Sequence, residues 1–131
     1  MEENFKLEII SPEKIIYSDD VILTTFPSYE GDMTILKNHI SVISFLRPGI
    51  IKVKKNEGNF EEFFVEDGTV EYFNGNLVIL STSAVNVKDI SKQFLDNLDK
   101  DIKNKLADQN ISDHDRYILN YKLNTIREMA I

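Results

Sequence analysis

At 131 residues, with 42% apolar and 28% charged side chains, the chain has the balance of a globular protein, and its length excludes two large domains. A formal charge of −7 excludes a general affinity for nucleic acid or anionic lipid, both of which need a basic surface. With no cysteine, disulfide frameworks, thiolate zinc sites and cysteine nucleophiles are excluded as well.

The first residues, Met1-Glu2-Glu3-Asn4, are acidic and polar and resemble neither a signal nor a transit peptide, so the protein is expected to stay in the compartment where it is made. Phe5, Leu7 and Ile9 alternate with Lys6 and Glu8, which is the period of a strand with one buried face. Further strand-like runs, rich in β-branched and aromatic residues, follow at Val21 to Phe26, Ile50 to Lys54, Phe60 to Glu66, Thr69 to Phe73 and Leu77 to Thr82. Asn56-Glu57-Gly58-Asn59, Asp67-Gly68 and Asn74-Gly75 offer the positive φ of tight connections and predict antiparallel neighbours. The pattern reads as a two-sheet sandwich, and also suits a small open barrel.

The chain changes character near residue 86. Every glycine and proline lies in the first 75 residues; residues 1–86 hold 14 acidic and 7 basic side chains, and residues 87–131 hold 8 of each. The unbroken second part predicts two helices. Ile90, Phe94, Leu98, Ile102 and Leu106, with Leu95 beside them, mark an apolar face that Asp89 can cap. Asp96 to Lys100, Asp99 to Lys103 and Asp101 to Lys105 are acid-before-base pairs on its solvated face. Ser112 with Asp115 resembles a capping box, and Leu119, Leu123, Ile126 and Ala130 form a second stripe. Two facing stripes joined by a short turn predict an antiparallel helical hairpin over 87–131 behind an antiparallel β-sandwich over 1–86.

Catalytic chemistry is not in view. His39 and His114 lack metal-ligand spacing, and Asp19-Asp20 and Glu61-Glu62 are strand neighbours that point to opposite faces. There is no glycine-rich phosphate loop, so no cofactor or metal is expected. The segment Tyr29 to Gly49 stands out instead for dense polar clusters at Glu30-Gly31-Asp32 and Lys37-Asn38-His39.

Glu30-Gly31-x-x-x-Ile35-Leu36-x-x-His39, then Leu46-x-Pro48-Gly49-Ile50, resembles the E-G-x-x-G-I-L-P-G-H-A-P and L-x-P-G pattern of F-type ATP synthase epsilon subunits. Phe63-Phe64-Val65 before Asp67-Gly68, Val70-Glu71 and Leu77-Val78-Ile79-Leu80-Ser81 extend the likeness, and the helical hairpin follows in its place. Thr34, Lys37-Asn38 and Ile40-Ser41 depart from the family's Gly, Pro-Gly and Ala-Pro, which makes this a divergent member. The resemblance implies a non-catalytic central-stalk subunit that links the gamma subunit to the membrane rotor ring, on the cytoplasmic face of a bacterial plasma membrane and without inserting into it. It implies that the turn Glu30-Gly31-Asp32 meets the ring, although a solvated turn would look the same. Lys37, Asn38 and His39 fall on the expected gamma-facing surface, where a structural histidine is the plain alternative. The hairpin is implied to reach the alpha/beta head and to regulate hydrolysis weakly. Relatives that bind ATP carry I-D-x-x-R-A at the first helix, where this chain has Ile90-Ser91-Lys92-Gln93-Phe94-Leu95, so Phe94 is expected to extend the apolar face and ATP binding to be lost. A free-standing interaction adaptor without a rotary partner is the alternative reading.

Overall fold

A computed structural model describes residues 3–129 as a β-sandwich with two helices packed against it. Four of its strands form the first sheet: β3 (Leu23–Ser28), β6 (Gly49–Lys54), β7 (Phe60–Val65) and the short β10 (Val85–Asn86), with β4 (Gly31–Ile35) on the far edge of β3. The second sheet runs β5 (Val42–Leu46), β8 (Gly68–Phe73), β9 (Asn76–Leu80), β1 (Phe5–Ile10) and β2 (Ile15–Val21). A single rung, Ser28 opposite Leu46, joins the two. Alternate residues of both sheets, including Leu7, Ile9, Phe26, Ile51, Val53, Phe63, Val70, Tyr72, Leu77 and Ile79, close one dry core between them.

The expected strands are present, with ends within two residues of the sequence reading, but Val21 to Phe26 does not lie in one strand. That run spans two strands, because the backbone bends at Ile22 and passes from β2 to β3. The polar residues of β2 (Ser18, Asp19, Asp20) and β4 (Asp32, Thr34) and the two-residue length of β10 hid those elements from the sequence reading, which also missed β5. Asn74 and Gly75, both at positive φ, do join the antiparallel pair β8 and β9. Asp67-Gly68 is different: β7 pairs with β6 and β10, so this turn passes the chain from one sheet to the other instead of folding a hairpin. One pair is parallel. β1 lies beside β9 with Leu7 opposite Leu77 and Ile9 opposite Ile79, since no tight turn connects strands so far apart in sequence.

Two helices, α1 (Lys92–Leu106) and α2 (Asp113–Met129), form the hairpin. Ser91 caps α1 by accepting from the Phe94 N–H at 3.0 Å; Asp89 lies earlier, in a one-turn 3-10 helix, and does not cap it. Ser112 caps α2 through the Asp115 N–H, also at 3.0 Å. Leu95, Ile102, Leu123 and Ile126 are buried together, with Ile90, Leu98, Leu106, Leu119 and Met129 around them. Phe94 does not join this cluster and stays exposed, because a helix begun at Lys92 turns Leu95 and Leu98 inward, three residues apart. The ion pairs Asp99–Lys103 and Asp101–Lys105 form, whereas Asp96 and Lys100 do not come within pairing distance. Ala130, expected at the end of the second stripe, lies outside the described residues.

The hairpin rests on the first sheet. Lys122 of α2 pairs with Glu66 just beyond β7, and the Arg47 guanidinium lies 4.2 Å from the centre of the Tyr121 ring. Phe64 points away from the sandwich core yet is 1% exposed, on the side where α2 meets β6.

Candidate partner-binding surface

The six polar residues singled out above divide into two groups at opposite ends of β4, separated by five residues or about 16 Å at ~3.3 Å per residue. Glu30 ends the turn before β4, and Gly31 and Asp32 open the strand. Ser28 Oγ sits 2.9 Å from Glu30 Oε2 and 2.8 Å from the Gly31 carbonyl oxygen, and accepts from the Glu30 N–H at 3.2 Å. The hydrogen bond from the Ser28 hydroxyl above all, and then the backbone N–H of Glu30, hold the Glu30 carboxyl below the usual carboxylate range. Glu30 is therefore tied back into the fold. Gly31 adopts φ +119° with open space where a Cβ would be, so backbone conformation alone demands glycine there. Asp32 points outward and meets Arg47 at 3.3 Å, leaving most of its carboxylate in solvent.

After β4 the chain turns through Lys37, Asn38 and His39. The Tyr72 hydroxyl donates to the Lys37 carbonyl, and the His39 N–H donates to the Leu36 carbonyl at 3.0 Å, so the loop is anchored on β8. Asn38 donates to Glu3 at 3.2 Å. The His39 ring lies edge-on to Tyr72 at 6.2 Å, with Nδ1 2.6 Å from the Ile40 carbonyl oxygen. His114 is elsewhere, stacked on Tyr29 at 6.5 Å, and among the described residues no three His, Asp or Glu side chains converge as metal ligands do.

The second sheet, entered from the Lys37-Asn38-His39 loop at β5, carries a surface that the sequence reading missed. Cross-strand partners share a face, so the outer side of the second sheet presents the rungs Phe45–Thr69–Leu80–Ile10 and Ile43–Glu71–Val78–Glu8, with Phe73 next to Asn76 and Lys6. Ile43 is 72% exposed, Phe73 63%, Phe45 58% and Leu80 50%. Four large apolar side chains on one rigid sheet, interrupted by few charges, make a surface suited to burial against another protein. The signal in the sequence was the unbroken apolar run Leu77-Val78-Ile79-Leu80, which marks a strand with two apolar faces.

Residues 4–87, the whole sandwich, match the family model described as ATP synthase, Delta/Epsilon chain, beta-sandwich domain. The chain belongs to the ATP synthase epsilon chain family. An epsilon chain of Pelagibacter ubique is 41% identical over 98% of this chain and 99% of its own length, and one from Sinorhizobium medicae is 34% identical over 74% and 72%. Epsilon chains are non-catalytic stalk subunits. The fold is also that of a chain in the Euglena gracilis mitochondrial ATP synthase, OSCP/F1/c-ring structure, with a TM-score of 0.74 at 21% identity over 95% of this chain and 78% of that one. A chain of the Tetrahymena thermophila central stalk/c-ring structure superposes with a TM-score of 0.63 at 13% identity over 99% and 98%. Among the described residues of this epsilon chain, no helix is long and apolar enough to cross a membrane.

Proposed function

We propose that this epsilon chain is a rotor subunit that transmits rotation between the membrane ring and the gamma subunit of an F-type ATP synthase, at the cytoplasmic face of a bacterial plasma membrane. The observation that supports this best is the exposed apolar face of Ile43, Phe45, Phe73 and Leu80, on the sheet whose strand β5 follows directly after the Lys37-Asn38-His39 loop. Gamma takes this face, and Lys37, Asn38 and His39 form its polar rim. The turn Glu30-Gly31-Asp32 meets the ring, with Asp32 making the polar contact while Glu30 and Gly31 hold the turn's shape. A close-packed sandwich gives the rigidity that such a spacer needs. Residues 1–86 act as the coupling unit, and the hairpin over 87–131 modulates hydrolysis weakly at the alpha/beta head.

The test is copurification at low salt. Tagged protein should bring down gamma and ring subunits; Ile43→Glu with Phe45→Glu should abolish gamma capture without lowering the melting temperature, since both side chains already face solvent. Retained gamma binding by that double variant would move the interface elsewhere, and capture of unrelated proteins instead would favour the adaptor reading.

A further inference from the structure

The Arg47 side chain touches both the β3–β4 turn and the hairpin. Its guanidinium lies 3.3 Å from Asp32 on one side and 4.2 Å from the centre of the Tyr121 ring on the other. The two environments differ sharply: the Arg47 side chain is 14% exposed and that of Asp32 is 69% exposed. A guanidinium so withdrawn from water needs both its counterion and its aromatic cover, and its planar fork can face a carboxylate at its edge while stacking through its face. Asp32, in contrast, has a free side on which a partner can act. Tyr29, three residues before Asp32, stacks on His114, so the same turn touches α2 at two points along the helix.

We propose that Arg47 is a positioning residue that couples the turn to the hairpin: when a partner surface takes the Asp32 carboxylate, Arg47 loses the counterion that holds it over Tyr121, and α2 loosens from β6. This rests on the reading that Asp32 faces a partner. Because coupling is reciprocal, loosening α2 also leaves Asp32 freer for its partner. Lys122 with Glu66 remains as a separate tether, so the outcome is a shift in population and not complete detachment.

The absence of cysteine permits a direct measurement, since introduced cysteines are the only thiols. Spin labels at Lys52→Cys on β6 and Asn124→Cys on α2, both exposed positions, report the distance between sandwich and hairpin in the full-length chain. In the parent, one narrow distance should dominate, with any longer one below about 10% of molecules. Asp32→Asn, which mimics a neutralised carboxylate at an exposed site, should raise the longer population several-fold. Arg47→Ala should do the same, and the two together should do no more than either alone. Arg47→Lys, which keeps charge and stem but not the fork, guards against a folding defect in the alanine variant and should also loosen α2. A parent-like distribution for Asp32→Asn, or additive effects in the double variant, would overturn the proposal. The measurement needs no partner, so its result stands apart from whether the ring is what Asp32 meets.

Discussion

Gly49 lies against the ring of Pro27: a Cβ on Gly49 would fall 2.7 Å from both Cβ and Cγ of the proline. Both neighbours belong to a closed ring that cannot swing away, so β6 starts where the backbone presses directly on β3. Gly49→Ala should therefore lower stability by about 1–3 kcal/mol through overpacking, read as a fall in melting temperature. Gly68→Ala should cost more. There φ is +149°, and the added Cβ would sit 2.5 Å from the Leu80 carbonyl oxygen, which is backbone. An unchanged melt for Gly68→Ala would mean that the crossing from β7 to β8 can relax.

Asp32→Arg should uncouple the ring while sparing the fold. The pair it breaks joins Arg47 to the outward-facing Asp32 and takes no part in the sandwich core, so the sandwich should melt almost as before while α2 loosens as in Asp32→Asn. Protons pumped per ATP hydrolysed in membranes should drop. Gly31→Val perturbs the same turn differently, with strain of roughly 1–3 kcal/mol from φ, while its Cβ would have nothing within 4 Å.

The Glu30 carboxyl gives a pH signature. Its folded value is depressed by the Ser28 hydroxyl above all, so its contribution is present above the ordinary carboxylate range and is lost as pH falls through the folded value. Glu30→Gln should melt below the parent at neutral pH, and the gap should close on acidification. A gap independent of pH would show that shape, and not charge, matters at this position.

A chain ending at Asn86 should melt cooperatively and still bind gamma, because the sandwich core and the hairpin core share no residue. It should be less stable than the full chain, since Phe64 would lose its cover, and exposing such a side chain costs about 1.5–3 kcal/mol. A molten product would show that the hairpin completes the fold.

ATP should bind no tighter than about millimolar by calorimetric titration, or −4 kcal/mol. Ser91 is occupied as the α1 cap, and Phe94 stands exposed where relatives place an arginine, which leaves no fork for a phosphate at this position. Micromolar binding would refute this.

Much of the architecture could be read from the sequence because it follows local rules. Alternation at Phe5, Leu7 and Ile9, the Asn74-Gly75 turn, and the helical spacing of Leu98, Ile102 and Leu106 each depend only on near neighbours. What was hidden depends on distant ones. Asp67-Gly68 has the letters of a hairpin but leads between sheets, which only the pairing of β7 with β10 reveals. Phe94 and Leu95 are equally apolar, and it is Leu95 that packs with Leu123 and Ile126 of α2. The turn Glu30-Gly31-Asp32 was visible as polar chemistry, yet Arg47, which ties it to α2, follows Leu46 without any local signal.

The parallel pairing of β1 with β9 also sets an order of events during synthesis. β1 and β2 can close as a hairpin once residues 5–21 have emerged, but the strand that joins them to their sheet spans residues 76–80. Until then that hairpin is not joined to the rest of its own sheet, and the edge of β1 that pairs with β9 remains open to wrong partners. Closure of the sandwich is a late, long-range event, and the strands made first join their sheet last.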